Sequence, residues 1–197
     1  LPPDEPITEW LRELRAGDRA AARRLWDVYF AQMVRLARQR LGGAPRRAAD
    51  EEDVALEAFD SFCRGAEQGR FARLEGRDDL RVLLVVLTTR KALDWRQHER
   101  RQKRGGGAVR GESAFAADAG LDQTADSGLP PDFAAEAAEE CRRLLDALGD
   151  DELRAVALWK LEGCTNPEIA ARLGCAPATV ERRLRLIRAV WEQEPGR

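Results

Sequence analysis

"EGCTNPEIAARLGCAPATVERRLRLIRAVWEQ", residues 162–193, reads as a helix, a tight turn and a second helix rich in arginine. Thr165 and Glu168 have the T-x-x-E spacing of a capping box, in which each residue serves a free N–H group at a helix start. Ile169, Ala170 and Leu173 keep one face of that first helix apolar, and Gly174 falls where a left-handed backbone would end it. Pro177, with no N–H to lose, suits the first turn of the next helix. Val180, Leu184, Ile187 and Trp191 then recur at i, i+4, i+7 and i+11, a stripe made to be buried. Ala178, Thr179, Glu181, Arg182, Arg185 and Arg188 are left outward or flanking. A short helix bracing a basic one is the helix-turn-helix plan for setting side chains in a major groove. A solvated amphipathic hairpin has the same periodicity, but it does not account for a basic outer face on an acidic chain.

The 197 residues carry a formal charge of −2, and 35% of them are charged. Their distribution is more telling than their sum. Residues 78–110 total +5, residues 112–151 total −9 and residues 164–191 total +3. Two basic tracts separated by an acidic one suggest two contacts with a polyanion and a spacer between them. No apolar run is long enough for a membrane span, and "LPPDEPITEW" lacks a signal-peptide pattern. With no Met at position 1, a trimmed start is expected. Cys63, Cys141, Cys164 and Cys175 show no C-x-x-C spacing and His98 is the lone histidine, so neither a zinc site nor another metal is expected. The thiols read as small buried hydrophobes in a reducing cytoplasm. No phosphate loop or nucleophile–base set appears, which argues against an enzyme and against a cofactor.

Nearly all of the remaining chain also has helical periodicity. Ile7, Trp10, Leu11 and Leu14 mark a first helix, closed by Gly17 and Asp18. A second, from about 19 to 41, is expected to bury Trp26, Tyr29, Phe30, Met33 and Ala37. A third begins near Asp50 with acids in its first turn and turns Val54, Ala58, Phe59 and Phe62 inward. A fourth, from about 79 to 103, is apolar at first and basic at its end. Residues 105–132, "GGGAVRGESAFAADAGLDQTADSGLPPD", have almost no periodicity and read as a flexible acidic linker. So long a structureless loop is unusual inside one domain. The expectation is therefore an all-α chain of two small helical domains, 1–104 and 133–197. Helices resume at about 133–148 and 150–162, followed by the helix-turn-helix pair.

This order of parts resembles an extracytoplasmic-function (ECF) sigma factor, the two-domain branch of the sigma-70 family of bacterial RNA polymerase subunits. "DEEDVALEAFDSF" at 50–62 is similar to region 2.2 of that family, and "LRVLLVVLTTRKALDWRQHERRQKR" at 80–104 to regions 2.3 and 2.4. "LEGCTNPEIAARLGCAPATVERRL" at 161–184 is similar to region 4.2, and the "RRQKRGGG" junction at 100–107 resembles the planctomycete-type group.

The resemblance implies a transcription initiation factor that brings core RNA polymerase to promoters, recognises −10 and −35 elements and assists melting. Glu51, Glu52, Asp53, Leu56 and Glu57 would meet the clamp helices of the largest polymerase subunit; Leu56 stands where Gln is usual. Arg90, Lys91, Arg96, Arg100 and Arg101 would hold the −10 strand phosphates, and Arg90 replaces a common Asn. Trp95 would stack on an unpaired base, or else lie in the core three residues after Ala92. Ala178, Thr179, Arg182 and Arg185 would face −35 base edges, with Arg183 and Arg188 on the backbone. Ala176 takes the place of the usual capping Ser. An anti-sigma protein is a further partner the resemblance suggests, and no membrane contact is expected. Two other readings of the residues stay open: a stand-alone helix-turn-helix regulator, and an adaptor that holds polymerase or an anti-sigma protein without reading a promoter.

Overall fold

The computed structural model describes residues 4–42, 49–71, 73–105 and 133–193. Within them the chain forms eight helices and no strand. They are α1 (Asp4–Arg15), α2 (Arg19–Leu41), α3 (Ala49–Glu67) and α4 (Arg77–Gly105), then α5 (Phe133–Asp146), α6 (Asp151–Leu161), α7 (Asn166–Leu173) and α8 (Pro177–Gln193). The span 106–132, in which the acidic linker was expected, lies outside the described residues.

Local chemistry sets the helix ends. Asp18 accepts from the Ala20 N–H at 2.8 Å to start α2, and Asp150 accepts from the Leu153 N–H at 2.8 Å to start α6. Both junctions are short, so the helices on either side are forced to fold back on one another. α4 begins at Arg77, slightly earlier than its periodicity suggested, with Asp78 and Asp79 in its first turn.

α2, α3 and α4 pack as a three-helix core with α1 laid across it. Val54, Ala58, Phe59 and Phe62 of α3 are buried as their spacing required. On α2 Tyr29, Met33 and Ala37 are buried as expected, and the two bulkier aromatics beside them are not. Ala21, Leu25, Tyr29, Met33, Leu36 and Ala37 are inside, whereas Trp26 and Phe30 are half-buried and stacked with ring centroids 4.1 Å apart. Trp26 meets Phe59 edge-on at 5.0 Å, so these aromatics form the rim of the core and not its centre. Trp10 of α1 is likewise half-buried, under the Arg24 guanidinium at 5.6 Å.

The second group, α5–α8, closes around Val156, Leu158, Ile169, Val180, Leu184 and Ile187. Trp191 is half-buried and donates from Nε1 to the Leu144 carbonyl at 2.7 Å, fastening the end of α8 to α5. The two groups are in contact. α4 packs along α5 and touches α6, and one continuous apolar cluster runs from Ile7 of α1 to Ile187 of α8.

Candidate nucleic-acid interface

The α7–α8 pair is built as its sequence implies. The Thr165 backbone N–H and hydroxyl donate to the Glu168 carboxylate at 2.7 and 2.8 Å, and the Glu168 N–H returns to the Thr165 oxygen at 3.4 Å. Those two donors, the backbone N–H first, hold the Glu168 carboxyl below the ordinary carboxylate range. Gly174 caps α7 at φ 63°, where a side chain would be strained, and its N–H reaches back to the α7 carbonyls. The chain can then turn sharply into α8. Because Val180, Leu184 and Ile187 point inward, Ala178, Arg182, Arg185 and Arg188 are left exposed and Thr179 half-exposed. Three guanidinium groups thus lie free to solvent along one 17-residue helix. Arg183 is different. It is half-buried and paired with Glu152 of α6 at 2.6 Å, which engages its charge within the fold.

A second basic surface lies on α4. Arg90, Lys91, Trp95 and Arg96 are all half-buried there. Arg96 donates to the Arg40 carbonyl at the end of α2, 3.3 Å away. Trp95 packs on the small cluster of Ala37, Leu41, Val54 and Ala92 and is half-buried there. Arg100 and Arg101 fall within the helical span of α4, and their side chains lie outside the described set.

α3 shares that end of the molecule. Glu52, Asp53 and Leu56 are exposed, and Leu56 at 54% is the most open large apolar side chain among the described residues. Glu51 is instead paired with Arg38 at 2.7 Å, and Glu57 faces Lys91 of α4 at 3.9 Å. The five acidic-face residues are thus divided. Three are open, and two already meet cations of neighbouring helices.

Periodicity did not single out a third set of residues, where the two helical groups meet. Arg81 of α4 is paired with Glu162 at the end of α6, and their side chains are only 8% and 2% exposed. Burial alone would lower the Arg81 pKa, but the hydrogen bond and charge of Glu162, with help from Asp78, raise it instead. The Tyr29 hydroxyl is buried near the same charges, and desolvation pushes its pKa up to about 12. Gln39 of α2 donates to the Gly163 carbonyl, and Arg35 lies 3.4 Å from the Cys164 sulfur. Arg142 of α5 bonds Asp79 at 2.6 Å beside an open cleft of about 200 Å³. One sequence signal did mark this seam: Arg81 interrupts the apolar run 80–87, and an arginine placed there needs a buried partner. Among the described residues no group of His, Cys, Asp or Glu converges as a metal site. Cys164 is buried, and Cys63, Cys141 and Cys175 are half-buried and unbridged.

The described residues thus carry a row of exposed arginines on α8, a half-buried basic surface on α4 and an acidic face on α3. No helix among the described residues is long and apolar enough to cross a membrane. No curated protein matches the chain. The family model described as "ECF sigma factor" matches residues 4–196, and it speaks for the family as a whole without reaching the planctomycete-type group. With that match running through α1 to α8, the chain belongs to the ECF sigma factors.

Proposed function

We propose that this sigma factor docks on core RNA polymerase through α3, holds the −10 element along α4 and sets α8 in the major groove of the −35 element. The family membership carries the role in transcription initiation. The observation that best supports the finer assignment is the row of unpaired, exposed Arg182, Arg185 and Arg188 on the second helix of a capped helix-turn-helix. Cations in such a row neutralise phosphates and can reach base edges bidentately. On α4, Arg90, Lys91 and Arg96 supply charge beside the Trp95 ring, the combination a displaced strand needs. Arg100 and Arg101 extend the same tract. Glu52, Asp53 and Leu56 offer an apolar contact ringed by acid to a basic helical partner, with Glu51 and Glu57 released from Arg38 and Lys91 on docking.

Opening of the duplex then draws on binding energy, and the subunit itself hydrolyses nothing. The test is co-purification with bacterial core polymerase, followed by run-off transcription from a promoter library. Co-purification with new start sites is the expected result. Retention of polymerase without transcripts would favour the adaptor, and DNA binding without polymerase would favour a stand-alone regulator.

A further inference from the structure

We infer that Glu181 of α8 selects a cytosine in the −35 element, accepting a hydrogen bond from its N4 amino group while Arg185 donates to a neighbouring guanine. The inference rests on the −35 reading above and deepens it, naming a base that the site picks out. Ala178, Glu181, Arg182 and Arg185 stand at i, i+3, i+4 and i+7, the spacing of a single helix face. Val180, Leu184 and Ile187 point the other way, into the core. Glu181 is exposed like Arg182 and Arg185, and α8 has no other acid before Glu192. A lone carboxylate is thus set among the guanidinium groups.

The fold itself gives that carboxylate nothing to do. Glu181 lies beyond the first turn of α8, which holds no acid, so the helix dipole does not account for it. Arg185, one turn on, makes no ion pair with it, and no other described residue holds it. Toward DNA as a polyanion it is a liability, because it opposes the attraction of Arg182, Arg185 and Arg188 for phosphates.

Among base edges its chemistry is selective. An ionised carboxylate only accepts hydrogen bonds. Along the major groove it is repelled by guanine N7 and O6 and by thymine O4, and at adenine the N6 donor has the N7 acceptor beside it. Cytosine presents the N4 donor alone, and is the base a glutamate fits. Guanine O6 is the partner of that N4 within the pair. Side chains at i and i+4 stand about 5–6 Å apart, so Arg185 can reach guanine acceptors of the same or the adjoining pair while Glu181 meets the cytosine.

The head of α8 lets the carboxylate come close. Ala176, Pro177 and Ala178 are exposed and short, so no long side chain stands between the first turn and the floor of the groove. The residues near the N-terminus of a recognition helix are those that approach base edges most closely.

The test is binding by holoenzyme, reconstituted with bacterial core polymerase, to promoter DNA in which each base pair of the −35 element is varied in turn. Wild type, Glu181→Ala and Glu181→Gln are compared, with circular dichroism as the check on folding. The wild type should prefer cytosine at one position by about five- to 150-fold. Glu181→Ala should lose that preference, keep the others, and bind the remaining sequences about two- to fivefold more tightly at low salt, since one repulsion is gone. Glu181→Gln has a donor beside its acceptor and should move the preference at that position to adenine.

Uniformly tighter binding by both variants, with the wild-type base profile unchanged, would overturn the inference and leave Glu181 a solvated acid; the −35 reading would stand. A wild-type holoenzyme that forms, yet shows no base preference anywhere in the −35 element, would instead sink that reading and the role of Glu181 with it.

Discussion

Ala176 stands immediately before Pro177 at the start of α8 and offers no side-chain acceptor to the free N–H groups there. Ala176→Ser should add about 1 kcal/mol of stability in urea denaturation, and Thr165→Ala at the head of α7 should remove about as much. The acid partner in that second cap has a pH signature. Its pKa is lowered in the folded state, so the ionised Glu168 contributes at neutral pH and the contribution is lost as pH falls through the depressed value. Glu168→Gln should be less stable than wild type at pH 7, with the gap closing as pH falls through the depressed value. Cys63 offers a chemical readout of packing. Burial first, then Asp60 and Glu67, push its thiol up to about 12. The thiolate fraction is then about a thousandfold below that of an ordinary thiol, and alkylation at pH 8 should be slow until the chain unfolds.

The helices themselves divide into a buried stripe and a working face, and each face answers to a different measurement. Ile187→Ala should cost about 2–5 kcal/mol by opening a cavity beneath α8. Arg182→Ala and Arg185→Ala should leave stability nearly unchanged, and each should lower the salt dependence of −35 DNA binding by about one unit of slope. Arg183→Ala should change that slope less, since Glu152 already holds its charge. The helices and their caps were legible in the sequence because the forces that make them act over three or four residues. α7–α8, with its capping box, its left-handed glycine and its Val180–Leu184–Ile187 stripe, is the fullest case. On α2 the fit was less close, because apolar bulk was equated with depth. Trp26 and Phe30 sit at the rim, while the smaller Ala21, Leu25 and Leu36 fill the centre. Arg183 shows the other limit: its period places it beside the outward arginines, but Glu152 on a different helix decides where its charge goes.

At the scale of the whole molecule, the partnership between the two helical groups left one trace in the sequence, the Arg81 that interrupts the apolar run 80–87, and nothing there named its partner. Arg81 and Glu162 are 81 residues apart, and no local period encodes a pair at that distance. The long aperiodic span 105–132 suggested two helical domains, and the apolar cluster among the described residues has members in both helical groups. A shared core predicts one cooperative unfolding transition, with calorimetric and van't Hoff enthalpies equal. Two resolved transitions would mean that each half melts alone. The α6–α7 turn has a consequence of another kind. Turns usually tolerate exchange, yet Glu162, Gly163 and Cys164 are all buried against α2 and α4, and Gly163 at φ 83° has the Gln39 side chain where a Cβ would stand. A chimera that borrows its α5–α8 half from another family member would therefore inherit a mismatched hinge. Grafts between relatives should succeed when the residues at 35, 39 and 81 travel with the turn, which makes three side chains of the first half part of the inheritance of the second.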